Sequence, residues 1–258
     1  MLALTHTWFM TQRHFKAFIR QPMYVAFTLI QPVIWLFLFG QLFKRVTDLP
    51  GFGTDVNYIT YLAPAVVVMS ALFGAGWGGM GILEDLNRGV IDRFLVSPVN
   101  RGSLIAGRLI VQTVATVIQA VIILILGAIA GADYRQAVLG ALVLMVAVNL
   151  LATAIGSLSY GLALVARKEE SIIAVSNFVL LPLQFLSTGF MAAALIPGWI
   201  RSVAAYNPVN WALTAGRGAL LANPDWGSIT AHLGYLALLV IACGLVSTRA
   251  FRAYQRSI

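Results

Sequence analysis

The chain reads as an all-α integral membrane protein with six transmembrane helices, and three observations carry that reading. Of its 258 residues, 60% are hydrophobic and only 10% charged, with a mean hydropathy of +0.87; a soluble domain of this size carries about 25% charged residues. Six stretches of at least 20 residues contain no Asp, Glu, Lys or Arg, and roughly 20 apolar residues at helical rise cross a bilayer. The basic residues also alternate between successive connections, rich then poor, which is how retention of Lys and Arg on the cytoplasmic side sets orientation.

In chain order, residues 1–22 are not a span. Leu4, Trp8, Phe15, Phe18 and Ile19 fall near one helical face, and Arg13, Lys16 and Arg20 on another. A basic amphipathic helix carrying Trp and Phe lies in the headgroup plane; the alternative is a plain charged tail that fixes topology. Pro22 marks the turn into the first span, Tyr24–Phe43. The second, Tyr58–Leu83, ends in a crowd of glycines, Gly74, Gly76, Gly78, Gly79 and Gly81, where Gly74-x-x-x-Gly78 gives close helix contact. Then comes the charged insert Glu84–Arg108, with Arg88, Arg93, Arg101 and Arg108 beside Glu84, Asp85 and Asp92. The third and fourth spans, Leu109–Gly131 and Ala137–Ala166, enclose the short turn Ala132–Gln136; the fourth carries a small face at Ala152, Gly156 and Ala163. After the mixed-charge turn Arg167-Lys168-Glu169-Glu170 the fifth span is Ile172–Ala193 and the last Ile229–Thr248. Between them Ile196–Ser228 is too long for a turn and too polar for a span.

With the N-terminus inside, the inner connections hold 12 of the 17 Lys and Arg, leaving Lys44, Arg45, Arg135, Arg201 and Arg217 outside. Both termini are therefore expected in the cytoplasm, a condition that six spans satisfy and five or seven do not. The chain forms one domain, 1–258, without repeats, so an inverted-repeat carrier is not indicated.

Several chemistries are unsupported. The net charge of +8 comes from basic residues at the ends of apolar runs, not from a basic tract, so topology explains it better than nucleic acid. Cys243 is the only cysteine and His6, His14 and His232 are scattered, so no intrachain disulfide or cysteine metal site is expected. The apolar run starts only at Tyr24 and exceeds a signal-peptide core. No G-x-x-x-x-G-K-[ST] occurs, so the chain builds no P-loop of its own. The spans also lack the carboxylates expected of ion-coupled carriers. Energy for active transport would have to come from a partner. Neutral polar groups do lie in the spans, namely Gln31, Gln112, Gln119, Asn149, Tyr160, Asn177 and Gln184, and each must face another helix or a cavity. Interhelical hydrogen bonding accounts for most of them. A path for amphipathic molecules would use Gln31, Asn149, Tyr160 and Gln184 among the aromatics Trp35, Phe39, Trp77, Phe178 and Phe185.

The segment GILEDLNRGVIDRFLVSPVNRGSLIAGRLI resembles the cytoplasmic stretch of ABC-2 type transporter permeases, through Glu84, Gly89, Asp92, Arg93, Ser97-Pro98, Arg101 and Gly107. A second segment, Leu186 to Leu221, is similar to the outer segment of that family, through Gly189-Phe190, Pro197-Gly198-Trp199, Asn207-Pro208 and Arg217. Asn87 stands where many members carry an acid, and the Pro that often follows the Gly-Phe pair is missing. The order of these motifs is closest to the daunorubicin-resistance, drug-exporter branch. What the resemblance implies is a half-transporter of type V exporter-like architecture in a bacterial or archaeal plasma membrane, paired with itself or a sister chain. Two separate ATPase subunits would bind the ATP and magnesium; this chain would hold no cofactor. Residues 84–108 would form the coupling region, with Glu84, Asp85, Arg88, Asp92 and Arg93 as polar contacts and Phe94 and Leu95 as an apolar anchor. Residues 196–228 would be an outer re-entrant hairpin, with Phe190, Trp199, Asn207, Pro208 and Arg217 at an outer gate. The cargo implied is a lipophilic or amphipathic drug or lipid exported with ATP. The alternatives are a polysaccharide or glycolipid permease of the same fold and an ATP-independent facilitator.

Overall fold

The computed structural model describes residues 22–50, 52, 56–90, 102–220 and 224–255, with isolated positions 8, 9, 11, 12 and 15 near the N-terminus. Those five positions are helical; the rest of residues 1–21, within the segment 1–22 expected to be interfacial, lies outside the described residues, as do Asp92, Arg93, Phe94, Leu95, Ser97, Pro98 and Arg101 of the charged insert.

The first helix, α1 (Pro22–Ile34), carries Pro32. Proline donates no N–H and crowds the preceding turn, and the helix immediately widens into a π-helical turn, Trp35–Phe39, before closing as α2 (Gly40–Leu42). The second long helix, α3 (Tyr58–Gly76), starts at Asn57, whose Oδ1 accepts from the Thr60 amide at 2.8 Å. That is ordinary N-capping by a short polar side chain. The same cap ties distant chain together: Asn57 Nδ2 donates to the Gly131 carbonyl at 2.5 Å, and the Asp133 amide donates to Thr60 Oγ1 at 2.8 Å. After a break at Trp77–Gly78 the chain resumes as α4 (Gly79–Asn87). Then follow α5 (Gly102–Ile129), α6 (Ala137–Ala166), α7 (Glu169–Phe185), α8 (Gly198–Ala205), α9 (Pro208–Leu220) and α10 (Trp226–Gln255).

The bundle is built around α3 and α6. Helix α6 packs along α10, α9 and α3, and α3 also meets α5 and α7. Because lipid removes the hydrophobic drive between helices, such contacts rest on close packing and on interhelical hydrogen bonds; α3 accordingly buries an unbroken series from Leu62 to Met69.

Among the described residues the protein is all-α and multi-pass, with four runs long and apolar enough to cross a membrane: Tyr58–Asn87, Ala106–Ile129, Ala137–Ala166 and Trp226–Phe251. The expected first span, 24–43, corresponds to a shorter apolar helix, Thr28–Leu42. The expected fifth, 172–193, is helical only to Phe185. Its helix stops because the Asn207 side-chain amide donates to the Leu183 and Leu186 carbonyls, both at 2.7 Å, satisfying acceptors that another turn would have used. One boundary moves the other way. Helix α5 begins at Gly102, so Arg108, expected in the insert, is a helical residue.

Candidate functional site

A cavity of about 970 Å³ runs between α1, α3, α4, α5 and α7. Its wall changes character along its length. Trp35, Phe73 and Phe185 supply aromatic surface, Trp77 adds a further ring at the break between α3 and α4, and Gln31, Gln112, Gln119, Asn177 and Gln184 are the carboxamides of the lining; past the break the cavity reaches Glu84, Asp85, Arg88 and Arg108. An apolar pocket with a few convergent polar groups is the usual form of a small-molecule site. Tyr160 and Gln112 hold each other, the phenol donating to Gln112 Oε1 at 2.8 Å. Gln119 Nε2 donates to the Thr28 carbonyl at 3.2 Å, tying α5 to α1.

The floor of the cavity is the break between α3 and α4. Ser159 Oγ donates to the Gly76 carbonyl at 2.5 Å and accepts from the Gly79 amide at 2.9 Å; Ser176 Oγ donates to the same carbonyl at 3.0 Å. The break itself keeps tighter backbone bonds, Gly78 to Ala75, Met80 to Trp77 and Gly81 to Gly78, and two side chains from α6 and α7 satisfy the Gly76 carbonyl and the Gly79 amide that this tightening leaves over. At the charged end beyond it, Arg88 pairs with Glu84 at 2.6 Å within α4, with both side chains more than 60% exposed. Arg108 reaches across from α5 to pair with Asp85, and both are largely buried.

The opposite end is closed by aromatic and carbonyl contacts. Phe190 packs on Trp35, Phe39 and Phe185 at ring separations of 5.5, 5.7 and 5.9 Å. Arg217 donates through Nε to the Tyr61 carbonyl (3.1 Å), through Nη1 to Thr188 (2.6 Å) and through Nη2 to Gly189 (2.7 Å), and its guanidinium lies 3.6 Å from the Tyr61 ring centroid. Its charge is thus met by carbonyl dipoles and a π face. Asn207 N-caps α9, accepting from the Val209 amide at 2.9 Å, with Pro208 at the first helical position.

Of the residues expected on a path, the cavity gathers Gln31, Trp35, Trp77, Tyr160, Gln184 and Phe185. Phe39 sits behind it in the aromatic cluster. Asn149 donates to Met145 one turn back in its own helix, at 2.8 Å, and Phe178 is 81% exposed on the outside of α7; neither lines the cavity. Gln112, Gln119 and Asn177 do line it, although their amides alone pointed only to helix contacts. Ser70 and Thr116 also join the wall, with no sequence signal beyond being small and polar. Gly74, expected as a packing glycine, borders open space, since a Cβ added there would meet nothing within 4 Å; the close contacts belong to Gly76, Gly78 and Gly79. Of the outer residues, Trp199 is 64% exposed on α8, apart from the Phe190–Arg217 cluster. In the turn after α6, Arg167 takes a left-handed conformation (φ 52°) and Glu169 and Glu170 occupy the first turn of α7, where carboxylates favour the helix dipole. Among the described residues no three His, Cys, Asp or Glu side chains come together as metal ligands.

A family model described as ABC-2 type transporter matches residues 5–221. The daunorubicin resistance ABC transporter permease protein DrrB1 of Streptomyces coeruleorubidus is 26% identical over 249 residues, covering 96% of this chain and 85% of the relative. The transport permease ycf38 of Porphyra purpurea is 27% identical, covering 84% of this chain and 74% of its own length. DrrC of Mycobacterium tuberculosis, named as a doxorubicin resistance ABC transporter permease protein, is 22% identical over 97% of this chain and 90% of its own.

Proposed function

The chain belongs to the ABC-2 type transporter family, and from that membership we propose that it is the permease half of an ATP-driven exporter of lipophilic or amphipathic molecules. The single observation that carries this is the cavity with its mixed lining of aromatic rings, carboxamides and, past the α3–α4 break, charged side chains. An amphiphile needs such a mixture of surfaces. Its apolar part displaces poorly held water from the aromatic rings, while its polar part keeps hydrogen bonds. In this reading α1 and α7 complete six membrane passages, both termini are cytoplasmic, and the Glu84–Arg108 region faces a separate ATPase pair beneath a permease dimer. ATP binding by the partner drives the coupling region, and the permease alternates between states of different cargo affinity without bond chemistry of its own. The Phe190–Arg217 cluster is the closed outer gate. Names of two relatives refer to daunorubicin and doxorubicin resistance, and a drug-like cargo fits a wall of aromatic rings and carboxamides.

The test is reconstitution in proteoliposomes with a candidate ABC ATPase subunit, with Hoechst 33342 as the fluorescent probe. Wild type is expected to bind the ATPase and move the dye only with ATP. Trp77→Ala and Gln112→Leu, which strip the aromatic and amide walls, are each expected to raise the half-saturating dye concentration about tenfold, the equivalent of one lost contact worth about 1.4 kcal/mol. Dye movement that ignores ATP would instead establish a facilitator. Unchanged saturation in both variants would remove the cavity from the path.

A further inference from the structure

We propose that Asp85 and Arg108 are a positioning pair: an ion-pair clamp that locks α4 to the first turns of α5, so that these two helix ends and the cavity floor move as one body about the Trp77–Gly78 break. The inference rests on the reading above only for what drives the motion.

The clamp is built, not incidental. The Arg108 guanidinium donates both to the Asp85 carboxylate and, through the same Nη2, to the Gly81 carbonyl at 2.7 Å. The two charged side chains are 15% and 14% exposed. The neighbouring Glu84–Arg88 pair joins residues of one helix, so it links no two elements. Gly81 supplies the space, because a Cβ there would collide with the Arg108 guanidinium. A buried ion pair adds little stability over an apolar pair of the same size. What it adds is register, because one guanidinium nitrogen must stay within reach of both the Asp85 carboxylate and the Gly81 carbonyl, which limits the alignment of the two helices.

Above the clamp, α4 is not continuous with α3. Its first amide, that of Gly79, is bonded to Ser159 Oγ, and the last carbonyl of α3, that of Gly76, to Ser159 and Ser176. Three-residue backbone bonds cross the break, Gly78 to Ala75, Met80 to Trp77 and Gly81 to Gly78, but the four-residue ladder that stiffens a helix is interrupted there, and side-chain hydroxyls re-form their bonds at a new angle more readily than a sharp kink forms in an intact ladder. Helix α4 is therefore hinged at one end and bolted to α5 at the other. Trp77, Gly78, Gly81, Asp85 and Arg108 all line the cavity, so rotation about the break reshapes the cavity floor directly. A push received on α4 or on the first turns of α5 is delivered to the cargo wall and is not absorbed by slippage between the two helices.

The first arm of the test uses the permease alone in nanodiscs, in a Cys243→Ser background, with spin labels at Asn87→Cys and Ile110→Cys, both exposed. Pulsed EPR is expected to give one narrow distance distribution, broadened and lengthened by Arg108→Gln or Asp85→Asn, and narrowed again by the reciprocal Asp85→Arg/Arg108→Asp swap. An unchanged distribution in the single variants overturns the clamp. Should neither single variant accumulate, the swap decides, and a swap that remains broad or unfolded also overturns it. The second arm uses the ATPase complex. Arg108→Gln is expected to retain the ATPase while Hoechst 33342 moved per ATP falls at least about fivefold, the lower range for a coupling loss; dye moved per ATP equal to wild type overturns the positioning role. A wild type without ATP-dependent efflux would sink the exporter reading and leave the EPR result standing.

Discussion

Gly79 and Gly74 lie five residues apart on the same glycine-rich run, yet their surroundings oppose one another. A Cβ on Gly79 would come within 2.5 Å of the Ser159 carbonyl oxygen and 2.7 Å of its Oγ. The obstacle is partly backbone, so it cannot rotate away, and overpacking of this kind costs about 1–3 kcal/mol. A Cβ on Gly74 would meet nothing within 4 Å, and alanine is favoured over glycine inside a helix by roughly 0.5–1 kcal/mol. Gly79→Ala is thus expected to lower the thermal midpoint of the detergent-solubilised protein, and Gly74→Ala to hold or raise it. Equal midpoints would mean that α4 and α6 do not approach as closely as Ser159 and Gly79 require. The sequence shows five glycines in eight positions and nothing to rank them. Only the partner helix, some 80 residues away in the chain, distinguishes a packing glycine from one that faces a cavity.

At the scale of the element, the stretch after α7 is where sequence reasoning and structure part. Hydropathy runs on through Ala193, so length and composition extend the helix, whereas the backbone leaves it at Phe185. Non-helical backbone at membrane depth survives only where its polar groups are met, and here each partner is remote. Tyr61 Oη and Arg217 Nη1 donate to the Thr188 carbonyl at 2.6 Å each, Tyr58 Oη to Phe190 at 2.9 Å, and Arg217 Nη2 to Gly189. The long helices α3, α5, α6 and α10 were legible because an uncharged run of sufficient length permits little else. The remote bonding was not, because carbonyls carry no sequence signature; Arg217 looked like a charge at a gate, not a brace holding three acceptors. The brace makes a graded prediction. Arg217→Lys keeps the charge but loses the planar fork, stranding at least one buried carbonyl at about 1–3 kcal/mol. Tyr61→Phe leaves Thr188 with its Arg217 bond and is expected to cost about 1 kcal/mol. Thermal unfolding in detergent should therefore rank Arg217→Lys below Tyr61→Phe; the reverse order would deny the brace.

For the whole molecule, the two ends of the cavity differ: one is closed and the other meets water. At the Phe190 end, Phe190 with three further aromatic rings and the Arg217 brace join the Trp35–Phe39 turn, α3, α7 and α9. At the other end the lining includes Glu84 and Arg88, both largely exposed, so water reaches the wall there. A single bundle wet at one end and dry at the other is one of the two states that alternating access demands. In the proposed orientation, with both termini in the cytoplasm, the wet end faces the cytoplasm. Ser70 sits midway along α3 on the cavity wall, its hydroxyl bonded to the Val66 carbonyl at 2.7 Å, and is a sensitive position for a reporter. In a Cys243→Ser background, Ser70→Cys is expected to react with a charged, membrane-impermeant methanethiosulfonate in inside-out vesicles and to resist it in right-side-out vesicles. Bound Hoechst 33342 should slow the reaction by occupying the same space. Faster labelling from the outer face would place the water on the far side of the aromatic cluster. It would reverse the inferred orientation, and with it the assignment of Glu84–Arg108 to the face that meets the motor.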